Sequence, residues 1–231
     1  MKYQGSKNKI AKHILPIILK DRTERQWYVE PFMGGGNMID KVDGLRIGND
    51  LNYHLIEMWR ALQNGWVPPD EISEAEYKYL KAAQDIEDPA LVAFAGFCCS
   101  HSGIWFTSYA KCSKGRNYAA EGFRNLTKQL PKMIGVELHN VDYRDLEIPD
   151  RCIIYCDPPY RGTAGYLHGL DHDIFWQWCR DKSLDGHNVY ISEYSAPEDF
   201  ECLLEIDHFT TLTKTNKDKR VEKLFRYNEF Y

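Results

Sequence analysis

The chain has no apolar run approaching the roughly 18–20 residues that a membrane-spanning helix requires. Its opening, Met1-Lys2-Tyr3-Gln4, lacks a signal peptide's apolar core, so a reducing cytoplasm is the expected setting. Positive charge is not in excess. Lys and Arg number 29 against 34 Asp and Glu, a net charge of −5, so any nucleic-acid site has to be a local basic patch. The seven cysteines include no C-x-x-C spacing. Adjacent Cys98 and Cys99 read as small hydrophobes. A zinc set of Cys98, Cys99, His101 and Cys112 fits no common ligand spacing, so no metal is expected. Internal repeats, long linkers and low-complexity segments are missing, as are G-x-G-x-x-G and G-K-[ST] phosphate loops.

What remains is a chain of 231 residues, 43% hydrophobic and 27% charged, sized for one domain or one domain with an insertion. Ser6 caps an expected helix through Ile10, Ile14 and Ile18, with Pro16 bending or ending its first part. Short strands are expected at 27–29 and 45–47, the second ending near Asp50. Between them lies a glycine-rich turn and a helix, and Leu55, Met58, Trp59 and Leu62 then recur at helical spacing. This βαβ opening favours a parallel sheet. From about 65 to 135 the pattern turns helical, at 74–83, 89–98 and 119–133, around a loop rich in Gly, Ser, Lys and aromatics. Strands resume at 136–140, 152–156 and 189–192, with a helix at 174–180. A closing antiparallel pair is expected from 209–212 and 223–227.

Asp157-Pro158-Pro159-Tyr160 carries the most chemistry. It follows the apolar run Cys152-Ile153-Ile154-Tyr155-Cys156, so its carboxylate lies at a strand end, where open α/β sheets bind ligands. The two prolines remove backbone donors and leave carbonyls to face a ligand. A carboxylate, a prolyl carbonyl and an aromatic face suit a planar heterocycle with an exocyclic amine; a plain polar turn is the bland reading. Glu30-Pro31-Phe32-Met33-Gly34-Gly35-Gly36-Asn37 follows the first strand, and its glycines let the backbone approach a ligand closely. With no phosphate loop present, a phosphate-free cofactor such as S-adenosylmethionine fits better. Asp50 ends the second strand, where an acid accepts from ribose hydroxyls. Asp142 ends another, where it can accept from an adenine amine with Tyr143 on the ring.

In this order the elements resemble the DNA adenine N6-methyltransferases of the DNA adenine methylase type, including phage and prophage members. Tyr3-Gln4-Gly5-Ser6-Lys7 resembles their W-x-G-x-K element with Tyr for Trp, and Glu30 to Gly36 resembles E-P-F-x-G-x-G. The resemblance implies an α/β fold with a Rossmann-like methyltransferase sheet, mostly parallel with an antiparallel closing pair. Residues 1–64 and 135–231 would form the S-adenosylmethionine-dependent catalytic domain, and 65–134 an inserted helical target-recognition region. It implies that Tyr3 and Lys7 contact the methionine end, with Lys7 near its carboxylate, and that Phe32, Gly34 and Gly36 line that end. Asp50 would hold the ribose, and Asp142 with Tyr143 the cofactor adenine. Asp157, Pro158, Pro159 and Tyr160 would grip the target base. Ile191-Ser192-Glu193-Tyr194 resembles a later segment that often reads I-S-N, with Glu193 departing from it.

The implied reaction moves a methyl group to N6 of an adenine flipped out of double-stranded DNA, leaving S-adenosylhomocysteine, with no metal required. Lys111, Lys114 and Arg116, beside Trp105, Phe106, Tyr109 and Tyr118, suit a groove or backbone reader, and Lys214 to Lys223 form a second basic cluster. A GATC target, a monomer and a place in restriction, phage protection or regulation are expectations from the resemblance alone. For a phage-encoded chain the setting would be the bacterial host cytoplasm. Competing readings are methylation of cytosine N4, an RNA base or a protein glutamine, and a DNA-binding relative without activity. Cytosine enzymes more often place Ser at the Asp157 position, and glutamine enzymes Asn.

Overall fold

In the computed structural model, residues 1–111, 115–160, 170–209 and 219–230 are described. Among the described residues, seven strands form one sheet: β1 Tyr28–Glu30, β2 Arg46–Asn49, β3 Val136–His139, β4 Ile153–Cys156, β5 Asn188–Glu193, β6 Phe200–Phe209 and β7 Lys219–Tyr227. Their order is β3-β2-β1-β4-β5-β7-β6. The first five run parallel, and β7 lies antiparallel between β5 and β6. β1, β2 and β4 are buried at every residue, as strands covered on both faces must be.

The described residues include six α-helices: α1 Ala11–Ile18, α2 Tyr53–Gln63, α3 Glu74–Ala82, α4 Pro89–Ala93, α5 Tyr118–Met133 and α6 His172–Leu184. Side chains start most of them, with Asn52, Ser73, Asp88, Asn117 and Asp171 each accepting from the first turn. One apolar cluster joins α1, α2, α4 and α5 to the sheet; a second joins α6 to the other face through Val29, Ile154, Phe175 and Val189. This is the Rossmann-like α/β arrangement expected. No helix among the described residues is long and apolar enough to cross a membrane.

Three local differences from the sequence reading have physical causes. Ser6 caps a short 3₁₀ turn at Lys7–Lys9 that leads into α1, rather than α1 itself. The helix expected at 89–98 changes from α to π pitch after Ala93. There Gly96 lies directly beneath Trp105, where an added Cβ would meet the indole at 2.6 Å. The tail strand expected at 209–212 is a longer strand that starts at Phe200; residues 210–212 lie outside the described ones. Pairing shifts between Cys202 and Leu204, and such a bulge breaks the alternation that marks a strand in sequence.

Candidate active site

Strand order reverses between β1 and β4, because β2 and β3 lie to one side and β5 to the other. Ligands of open α/β sheets bind outside the carboxyl ends of strands at such a point. A cavity of about 280 Å³ opens there. Its wall combines Tyr3 to Lys7, Glu30 to Gly35, Asn49 to Asn52, Val141 to Arg144, Asp157 and Pro159.

The glycine turn is shaped from within. Gly34 adopts a positive φ of 51°, and a Cβ there would lie 2.7 Å from the Tyr3 ring. Tyr3 is therefore packed directly onto the turn, held by Phe97 at a ring distance of 5.1 Å. Asp50 ties the turn to β2: Oδ2 accepts from the Gly34 amide at 2.9 Å and Oδ1 from Asn52 at 2.9 Å. Burial raises the Asp50 carboxyl above its usual range, and these two amides work against that rise. Gly36 turns elsewhere. It packs beneath Met133 of α5, and Gln129 donates to the carbonyls of Gly35 and Gly36 at 3.0 Å.

Beyond Asp50 the cavity becomes an apolar slot of Phe32, Leu51, Val141, Tyr143 and Ile174. Phe32 and Tyr143 face each other with centroids 5.2 Å apart. Asp142 stands at its edge in a bidentate pair with Arg144, at 2.7 and 2.9 Å. That pair holds the Asp142 carboxyl below its usual range. Arg144 was not singled out in sequence, although a basic residue two positions after a strand-end Asp is the available signal.

Asp157 sits at the other end. Lys7 Nζ is 2.9 Å from Asp157 Oδ1 and 3.4 Å from Glu222 Oε1 on β7. It also lies 4.6 Å from the Tyr160 ring centroid, and the Tyr160 hydroxyl donates to Glu222. The Lys7 side chain is only 7% exposed and Asp157 23%. Burial pushes the Asp157 carboxyl up to about 6; Lys7 acts against this and the Glu222 charge adds to it. Lys7 thus stands against Asp157, whereas the methionine carboxylate was its expected partner. Tyr160 and Pro158 are buried behind the cavity wall, and Tyr160 meets Tyr194 edge-on at 4.6 Å.

Glu30 is the acid that the sequence quoted within a motif without giving it a role. It is 2% exposed, accepts from the Tyr28 hydroxyl at 2.8 Å, and is held well above the usual carboxylate range by burial. Phe97, Gly103 and Trp105 bring the 65–134 segment into the cavity wall, which spacing alone could not show. Glu222 also went unread, although it shares a strand face with buried Leu224 two residues on.

Of the three expected DNA contacts, Lys111 and Arg116 are among the described residues. Lys111 pairs with Glu74 at 2.5 Å, and Arg116 with Glu121 at 2.6 Å. Both are exposed surface pairs, worth little individually and readily exchanged for phosphate. Lys114 and Lys214 to Lys217 fall outside the described residues.

The site thus joins Asp157 and Pro159 at a strand end, a glycine turn braced by an acid and an aromatic N-terminal element in one cavity. Residues 3–91 match the D12 class N6 adenine-specific DNA methyltransferase family. The D12 match takes in Tyr3, Lys7, Glu30 to Gly36 and Asp50, while Asp142 and Asp157 follow it in the chain. Among solved structures, the tRNA (m1A58) methyltransferase TrmI from Aquifex aeolicus aligns at a TM-score of 0.41 and 11% identity, covering 98% of this chain and 72% of that one. A putative methyltransferase complexed with SAH aligns at 0.40 and 11%, covering 97% of this chain and 53% of that one, so this chain spans about half of its length.

Proposed function

We propose that the chain transfers a methyl group from S-adenosylmethionine to N6 of an adenine extruded from double-stranded DNA. One observation carries the reading: at the switch point of the sheet, one cavity joins the glycine turn to Asp157 and Pro159 at the tip of β4. The donor set fits the cofactor. An apolar slot lined by Phe32, Tyr143 and Ile174 suits an adenine, Asp50 a ribose diol, and the buried Glu30 carboxyl an ammonium. When bound, S-adenosylmethionine supplies an electrophilic methyl on a sulfonium.

The chain's own residues do the rest. Asp157 and the Pro158 carbonyl accept the two N–H bonds of the target amine. Electron density moves toward N6, and the nitrogen lone pair turns out of conjugation with the ring. This is positioning plus preorganised electrostatics. Asp157 needs no strong basicity, because the amine acidifies once it carries positive charge. Lys7 holds one oxygen of the carboxylate and favours its ionised form. Tyr160 backs the pocket, and residues 65–134 reach toward the DNA as the target-recognition region.

A pH dependence follows. Asp157 must be charged to draw density from the N–H it accepts, and burial pushes its carboxyl up to about 6. The value of kcat/KM is expected to rise through about pH 6 and level off above it. A profile flat between about pH 5 and 8 would contradict the role given to Asp157.

The direct test incubates the full chain with methyl-labelled S-adenosylmethionine and duplex DNA, then digests the DNA to nucleosides. Label in N6-methyladenine is expected. Label in N4-methylcytosine, or label only in a parallel reaction with RNA, would replace this reading with another planar amine. Cofactor binding by calorimetry without any transfer would indicate a binding protein.

A further inference from the structure

We propose that Glu222, on β7, is a positioning residue of the transfer site, holding Lys7 and Tyr160 in register against Asp157. The inference rests on the methyl-transfer reading and adds a residue that touches neither cofactor nor base. Glu222 is 5% exposed and stands behind the cavity wall rather than in it. It reaches the site from the far side of β5, since the sheet runs β1-β4-β5-β7. Its Oε1 accepts from the Tyr160 hydroxyl and lies 3.4 Å from Lys7 Nζ. The same ammonium is 2.9 Å from Asp157 Oδ1 and 4.6 Å from the Tyr160 ring centroid. One carboxylate therefore fixes both groups that flank Asp157.

A buried carboxylate is costly unless paired, so Glu222 without a function here would be an expensive way to fill space. The bridging position gives it two effects. It sets where Lys7 divides its charge between two acids, and it supplies an acceptor for a buried phenol. The groups facing Asp157 are Lys7 from the Lys7–Lys9 turn, Glu30 from β1, Tyr155 from β4, Tyr160 from its own loop and Glu222 from β7. Loss of the Glu222 charge removes a competing carboxylate from beside Lys7 and a nearby negative charge from Asp157. Both changes favour the ionised form of Asp157.

The test uses the full chain carrying Glu222→Gln and, separately, Glu222→Asp. The Asp157 titration is followed by carbon-13 NMR, its signal being the one that Asp157→Asn lacks, and methyl transfer to DNA is measured alongside. A midpoint near 6 in the original chain is expected to move down in Glu222→Gln and to return toward it in Glu222→Asp. The loss in kcat is expected to be about tenfold to a hundredfold for Glu222→Gln and smaller for Glu222→Asp. Equal midpoints in the original and in folded Glu222→Gln, or an unchanged kcat, would overturn the inference. Should Glu222→Gln fail to fold, Glu222→Asp decides alone: the original midpoint with an undiminished kcat overturns the role, and a lowered kcat supports it. Failure of the original chain to methylate DNA overturns the methyl-transfer reading instead, and the midpoints still judge Glu222 independently.

Discussion

Replacing Asp157 by asparagine is expected to lower kcat by about 10²–10³-fold while S-adenosylmethionine binding, measured by calorimetry, stays nearly unchanged. The split follows from where the residue stands. Asp157 is at the tip of β4, at the opposite end of the cavity from the slot of Phe32 and Tyr143. The amide keeps the size of the side chain and one acceptor, but loses the charge that favours a more tetrahedral amine. It also leaves Lys7 with Glu222 as its remaining carboxylate partner. A neutral group there can still receive the base, so DNA affinity should fall far less than turnover. Transfer at the original rate would discard the mechanism.

Asp50→Ala is expected to act on the other substrate, weakening cofactor binding by about a hundredfold, equivalent to roughly 2–3 kcal/mol, while the DNA affinity of the protein changes little. Two losses combine. The ribose loses a charged acceptor, and the amides of Gly34 and Asn52 lose the oxygen that each bonds at 2.9 Å. Gly34 sits at a φ of 51° with Tyr3 against it, so a turn freed from Asp50 also loosens the N-terminal element above it. Calorimetry on the variant reads the effect directly. An unaltered dissociation constant would show that the ribose is held elsewhere.

Much of this site could be read in the sequence because strand tips announce themselves. Short apolar runs ending in an acid mark Asp50 and Asp157, and consecutive glycines mark the turn that Asp50 braces. Period-based reasoning also gave the parallel sheet and its helices, since buried strands and amphipathic helices impose different spacings. What stayed hidden depends on contacts between distant parts of the chain. Lys7, Asp157 and Glu222 come together only when an N-terminal 3₁₀ turn, the tip of β4 and a strand beyond β5 are folded against one another. No local pattern places an ammonium between two acids. Trp105 reaches the cavity because a π turn and Gly96 admit its ring, and neither is visible from periodicity. The start of β6 was obscured by its bulge.

A crystal of the protein with S-adenosylhomocysteine and a short adenine-containing duplex measures directly where the target amine is held. An extruded adenine with N6 about 2.7–3.2 Å from both the Asp157 carboxylate and the Pro158 carbonyl, facing the cofactor sulfur, is the predicted result. A bound duplex whose adenines all stay stacked, or an extruded base lodged away from Asp157 while Lys7 alone occupies that carboxylate, would contradict it.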